Sequence, residues 1–154
     1  MASIREQIIL AMVAAFNAGG GPAGLTVHRE RTRPIETDSL PAVMIYNDDD
    51  QPKPLAQQTY RAPLVERQLT VGVQCRAQGS ASVTPDAALD PVLVWVLKQI
   101  FSDETFGGLA NGVEEIRTVW SSREGDKPVA AATIHFTIKY RTSRTDPTAT
   151  NTVS

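Results

Sequence analysis

The sequence is poor in the residues that do chemistry. It has one cysteine, Cys75, and two histidines, His28 and His135, in 154 residues. A single thiol excludes an intrachain disulfide and a thiolate metal cluster. Cys75 falls on the apolar side of an alternating segment, so it is expected to be a small buried hydrophobe and not a reactive thiol. Both histidines fall on the polar side of expected strands, without an acid or nucleophile at a motif spacing. They are expected to be exposed or at an interface, and no G-x-S-x-G elbow accompanies them. Basic charge is not in excess either. A net charge of -2 argues against a general nucleic-acid binder, which must neutralise phosphates. Arg29, Arg31 and Arg33 alternate with Glu30 and Thr32, and Tyr60–Arg61 is the nearest approach to a basic patch with a stacking ring. No run approaches the roughly 18 apolar residues of a membrane span. Arg5 and Glu6 interrupt the first apolar stretch, so a signal-peptide pattern is not met and folding in a cytoplasm is expected.

What is present is ordinary globular material, 42% hydrophobic and 21% charged. A chain of this length is most simply one domain that buries about two-thirds of its unfolded surface. Its organising stretch is 40–77. LPAVMIY reads as a strand, and RQLTVGVQCRA returns with Leu69, Val71, Val73, Cys75 and Ala77 on one face and Gln68, Thr70, Gly72, Gln74 and Arg76 on the other. Between them lies NDDDQPKPLAQQTYRAPLVE, a connection of about 20 residues at 47–66 that is far longer than a hairpin needs.

Around this stretch the remaining elements are regular. Residues 3–17 read as an amphipathic helix, with Ser3 and Glu6 as a capping box and Ile4, Ile8, Met12 and Phe16 on one stripe. Gly19, Gly20, Gly21 and Pro22 end it. They do not form a phosphate loop, because the order is helix, loop, strand and no lysine is near. A short strand is expected at Leu25–Glu30. A second helix covers about 84–101, either capped by Thr84 and kinked at Pro91 or capped by Asp90 with Pro91 as its first residue; the apolar spacing slightly favours the latter. Trp95 and Trp120 read as core or interface aromatics. Strands at 113–122 and 129–141 are joined by the turn REGDKP. Residues 142–154 have little to bury and are expected to be a flexible tail. The order α-β-β-β-α-β-β implies an α+β fold in one domain over 1–141. It is a two-layer sandwich, a mostly antiparallel sheet of about five strands with two helices on one face. The opposite sheet face is either solvated or meets another subunit.

Asp48, Asp49 and Asp50 are the strongest charge cluster. A divalent-metal site is the sharp reading, but three consecutive carboxylates in an extended chain cannot all aim at one ion. A solvated loop tip or an electrostatic docking patch is preferred. No cofactor, metal or catalytic residue is expected.

The layout resembles the tail terminator (tail-completion, gpU-like minor tail) proteins of long-tailed bacteriophages. The likeness spans about residues 3–142. It rests on IREQIILAMVAAF, VHRERTRP, LPAVMIYNDDD with its long loop, RQLTVGVQCRA, ALDPVLVWVLKQIF and the hairpin ending in ATIHFTIKYRT. The link carrying Asp103, Thr105, Gly107, Gly108 and Leu109 adds to it. The resemblance implies a non-enzymatic virion protein at the tail–neck junction, assembled in the host cytoplasm. It would form a ring, a homohexamer, that stops tube polymerisation and offers a surface to the head. Its partners would be further copies of itself, the major tail tube protein, a head–tail connector or neck protein and the tape-measure protein. DNA would traverse the lumen without sequence-specific or membrane contacts. Within that frame Asp48, Asp49, Asp50, Arg61 and Arg67 are expected to contact a neighbouring subunit or the tube, and Arg141 and Arg144 a neighbouring ring. The alternatives are a head-completion or neck ring protein and, from another class, a small metal- or ligand-binding domain.

Overall fold

Helix α1 (Ile4–Asn17) begins where Ser3 Oγ accepts the Glu6 N–H, at 3.1 Å. Only half of the expected capping box forms, because the Glu6 carboxylate is taken by the guanidinium of Arg29 in a two-pronged pair. That pairing holds the Glu6 carboxyl below its usual range, chiefly through the Arg29 hydrogen bond. The buried stripe is Ile4, Ile8, Ile9, Met12 and Phe16. Past the helix, Gly19 and Gly20 take positive φ, which a side chain there would resist.

The computed structural model describes residues 2–29, 40–52, 64–123 and 128–149. Its strands are β1 (Thr26–Arg29), β2 (Ala42–Pro52), β3 (Leu64–Gln78), β4 (Gly112–Arg123) and β5 (Val129–Ser143), with α2 (Pro85–Ser102) between β3 and β4. They form one sheet in the order β1-β2-β3-β5-β4. β1 runs parallel to β2 and every other pairing is antiparallel. The α+β class and element order expected from the periodicity are those observed.

The core lies between the helices and one sheet face. Val71 sits opposite Phe136, Val73 opposite Ile134 and Cys75 opposite Ala132, so odd residues of β3 and even residues of β5 share that face. All six are buried, and burial pushes the Cys75 thiol up to about 12. α2 packs over β3 and β5, while α1 lies beside β1 and against α2. Phe16 and Trp95 join the helices with ring centroids 5.5 Å apart.

Of the two α2 readings, the Thr84 cap is the one observed and the slightly favoured Asp90 cap is not. α2 starts at Pro85, with Thr84 Oγ1 accepting the Ala87 N–H, and Pro91 lies inside it. Proline is tolerated there because its side faces solvent, where water can satisfy the carbonyl it leaves unbonded. At the other end of the chain, β5 runs on to Ser143, and residues 144–149 fold back where a flexible tail was expected from 142. The Ser143 N–H donates to Ala149 C=O at 2.8 Å, and Ile4 N–H donates to Pro147 C=O at 2.9 Å. The segment thus satisfies an amide at the start of α1, a role with no hydrophobic signature to announce it. Asp146 holds the turn by accepting from Thr148 N–H and Oγ1.

Candidate assembly surfaces

The acidic run lies on a strand and not on a loop tip. β2 continues through it to Pro52, so the first part of the expected 47–66 arm is paired with β3. Val43, Ile45 and Asn47 face the helices opposite Cys75, Val73 and Val71. A bulge between Asn47 and Asp49 then shifts the register and puts Asp50 opposite Leu69. The three carboxylates consequently part company. Asp50 turns inward, 13% exposed, and accepts from Tyr140 Oη at 2.8 Å and Arg5 at 3.1 Å. Asp49 is exposed and accepts from Gln51 at 2.6 Å. Asp48 points to the opposite sheet face, 3.8 Å from His135 Nδ1. Among the described residues no group of three acidic, histidine or cysteine side chains converges to hold a metal ion.

Asp50 therefore acts as an internal clasp joining α1, β2 and β5. Burial raises the Tyr140 hydroxyl pKa, and the hydrogen bond to Asp50 raises it further. Such a contact is worth most where water is excluded, because a lost partner would leave a buried polar group unpaired. Of the expected contact residues, Asp48 and Asp49 remain available at the surface. Arg67 donates through Nε to Thr142 Oγ1 at 3.3 Å, and Arg141 donates to Glu66 at 3.0 Å. Arg144 is exposed and is not without a partner. Arg61 lies outside the described residues.

The open sheet face is less polar than its alternation suggests. The Tyr46 ring crosses Gly72, where a Cβ would lie 2.3 Å from Tyr46 Cζ. Only glycine permits that approach. Burial and the nearby Asp48 raise the Tyr46 pKa, while a hydrogen bond with Thr133 works against them. His135, opposite Gly72, is 9% exposed and therefore more enclosed than expected.

The strongest surface signal lies at the β4 edge, where Ile116 is 51%, Val119 49% and Trp120 55% exposed. Register places Trp120 opposite core residue Ala132 and Val119 opposite Thr133, so the two point to opposite faces. Ile116 sits in the bulge between Glu115 and Arg117. Val94 and Phe101 on α2 are also partly uncovered, at 41% and 40%. The Phe101 ring touches Phe136 on the neighbouring strand at 6.2 Å. The sequence had singled out Trp120 as core or interface; exposure settles that it is not core. Ile116 and Val119 were read only as strand residues, and nothing in their alternation marks an edge.

The link that contributed to the resemblance has a local explanation. Asp103 accepts from Thr105 Oγ1 at 2.8 Å and from Gly107 N–H at 2.9 Å. These bonds, with the Thr105 N–H, hold the Asp103 carboxyl below its usual range. Gly107 and Gly108 take positive φ, and Phe106 between the polar groups is buried. The motif is a self-bonded turn that ends α2 and anchors itself in the core. No protein-family model and no curated protein matches the chain. Among the described residues, no helix is long and apolar enough to cross a membrane.

Proposed function

We propose that the protein is a structural subunit of a closed ring that caps the head-proximal end of a long-tailed phage tail tube. In this reading it ends tube growth and offers the attachment surface for the head or neck, acting through surfaces and not through catalysis. The observation that carries the assembly part is the β4 edge. An edge strand with no outer partner among the described residues, presenting Ile116, Val119 and Trp120, is a liability in a monomer and an asset in an oligomer. A contact between two different surfaces, repeated by rotation, closes into a ring and removes the exposed edge. The resemblance in element order supplies the virion part of the proposal, and the tube and neck proteins are its proposed partners. Electron microscopy of the purified protein, alone and mixed with tail tubes, tests it. Rings alone and extra density at one tube end are expected. Tubes decorated along their length, or left bare at both ends, would overturn the reading.

A further inference from the structure

A cleft of about 230 Å³ opens at the end of the sheet opposite β4, where α1 stops beside β1 and α2. Its walls are Phe16, Pro22, Leu25, Val27 and Trp95, with Asn17 at the helix end. No charged side chain lines it. A charged group entering it would lose hydration with no partner to offset the loss. The space is ample for one ring, since an apolar cavity of roughly 150 Å³ already admits benzene.

The cleft also carries unused hydrogen-bonding groups. Trp95 is only 9% exposed, yet its indole N–H has no partner among the described residues. A buried indole N–H normally finds an acceptor. Gly21, which lines the cleft, fixes where that donor lies. A Cβ on Gly21 would stand 3.0 Å from Trp95 Cε2 and 3.1 Å from Cζ2. Cε2 carries the indole nitrogen, so the N–H edge of the ring is the edge beside the cleft. Acceptors lie close by. α1 has no basic residue in its last turn, and its capping bond runs from Ala18 N–H to Ala15 C=O. The Phe16 and Asn17 carbonyls therefore end the helix without a backbone donor among the described residues. At the rim, nothing lies within 4 Å of where a Cβ would stand on Gly19, Gly20 or Gly24. A rim bare of side chains lets another backbone approach closely.

We propose that this cleft receives a tyrosine side chain from a protein partner. The ring packs among Phe16, Leu25 and Trp95. Its hydroxyl accepts from Trp95 Nε1 and donates to a carbonyl at the end of α1, while the glycine rim admits the backbone that carries it. A phenol satisfies every part of the site. A phenylalanine ring would fill the space but leave the indole N–H unpaired, and a side-chain amide would meet the N–H but leave the apolar walls unused. The site does not rest on the ring reading, because β4 is the other edge of the sheet.

The test follows the two indole N–H signals of the full, isotope-labelled chain by NMR, with Trp120→Phe identifying the one that belongs to Trp95. The probes are the peptides Gly-Ser-Tyr-Ser-Gly and Gly-Ser-Phe-Ser-Gly, and free p-cresol. A saturable shift of the Trp95 signal is expected with the tyrosine peptide, whether or not the protein assembles. The phenylalanine peptide should bind about five-fold more weakly, for the loss of one hydrogen bond. Gly21→Ala should also weaken the tyrosine peptide, because its methyl would crowd Trp95 and Leu25. The proposal is overturned if the two peptides bind equally, if only p-cresol binds, or if the Trp95 signal does not move.

Discussion

The arm base and the β4 edge invert the usual expectation about where function sits. At the arm base the sequence is at its most charged, yet much of that charge is consumed inside the molecule. Asp50 is bonded to Tyr140 and Arg5, and Arg67 to Thr142. At β4 the sequence looks like one more apolar strand, yet Ile116, Val119 and Trp120 are left half exposed. Charge here specifies the fold, and the uncovered apolar surface is what the proposed assembly rests on. Each substitution below tests one side of that contrast.

The largest effect is expected in the scaffold. Gly72→Val would drive a side chain into the Tyr46 ring and should cost about 3 kcal/mol, measured by urea unfolding. A midpoint unchanged from wild type would show that the ring does not lie across the strand. Next, Asp50→Ala should cost about 1–3 kcal/mol by stranding the buried Tyr140 hydroxyl, and Asp50→Asn, which keeps an acceptor, should cost less. If both were as stable as wild type, Asp50 would be a free surface charge after all. Smaller still is the Glu6–Arg29 pair, part-exposed and worth no more than about 1 kcal/mol. Folding lowers the Glu6 carboxyl below its ordinary 4.5, so its contribution is complete above that value and is lost as pH falls through the lowered one. The stability gap between wild type and Glu6→Gln should therefore be constant near neutrality and close on acidification; a gap that widened in acid would reverse the assignment. Last, Cys75 in the native protein should resist alkylation at neutral pH and react only after unfolding, as mass spectrometry can follow.

The sequence made the regular parts legible and hid the junctions. Alternation identified β3 and β5 because their core residues are uninterrupted from Leu69 to Ala77 and from Ala130 to Tyr140. It failed on β2 beyond Asn47, where three aspartates mask the strand and a bulge breaks the period-two rule. Pro91 misdirected the start of α2, since proline at the first helical position is the commoner pattern and solvent exposure cannot be read from one chain. The Arg29–Glu6 and Tyr140–Asp50 contacts join residues far apart in sequence, and no local spacing foretells them. Edge position was the costliest omission. β4 and β5 both read as strands, and only the order β3-β5-β4 reveals which one is left uncovered.

The account turns on the β4 edge, and sedimentation velocity of wild type against Trp120→Arg tests it most directly. A substitution at an exposed site should leave monomer stability within about 0.5 kcal/mol. As a central interface aromatic, Trp120 should contribute about 2 kcal/mol or more to association, about thirty-fold in affinity. Wild type should therefore sediment as a closed oligomer, and the variant as a folded monomer over the same concentrations. A wild-type protein that stays monomeric, or a variant that assembles as well as wild type, would contradict the claim that this edge is built to be covered.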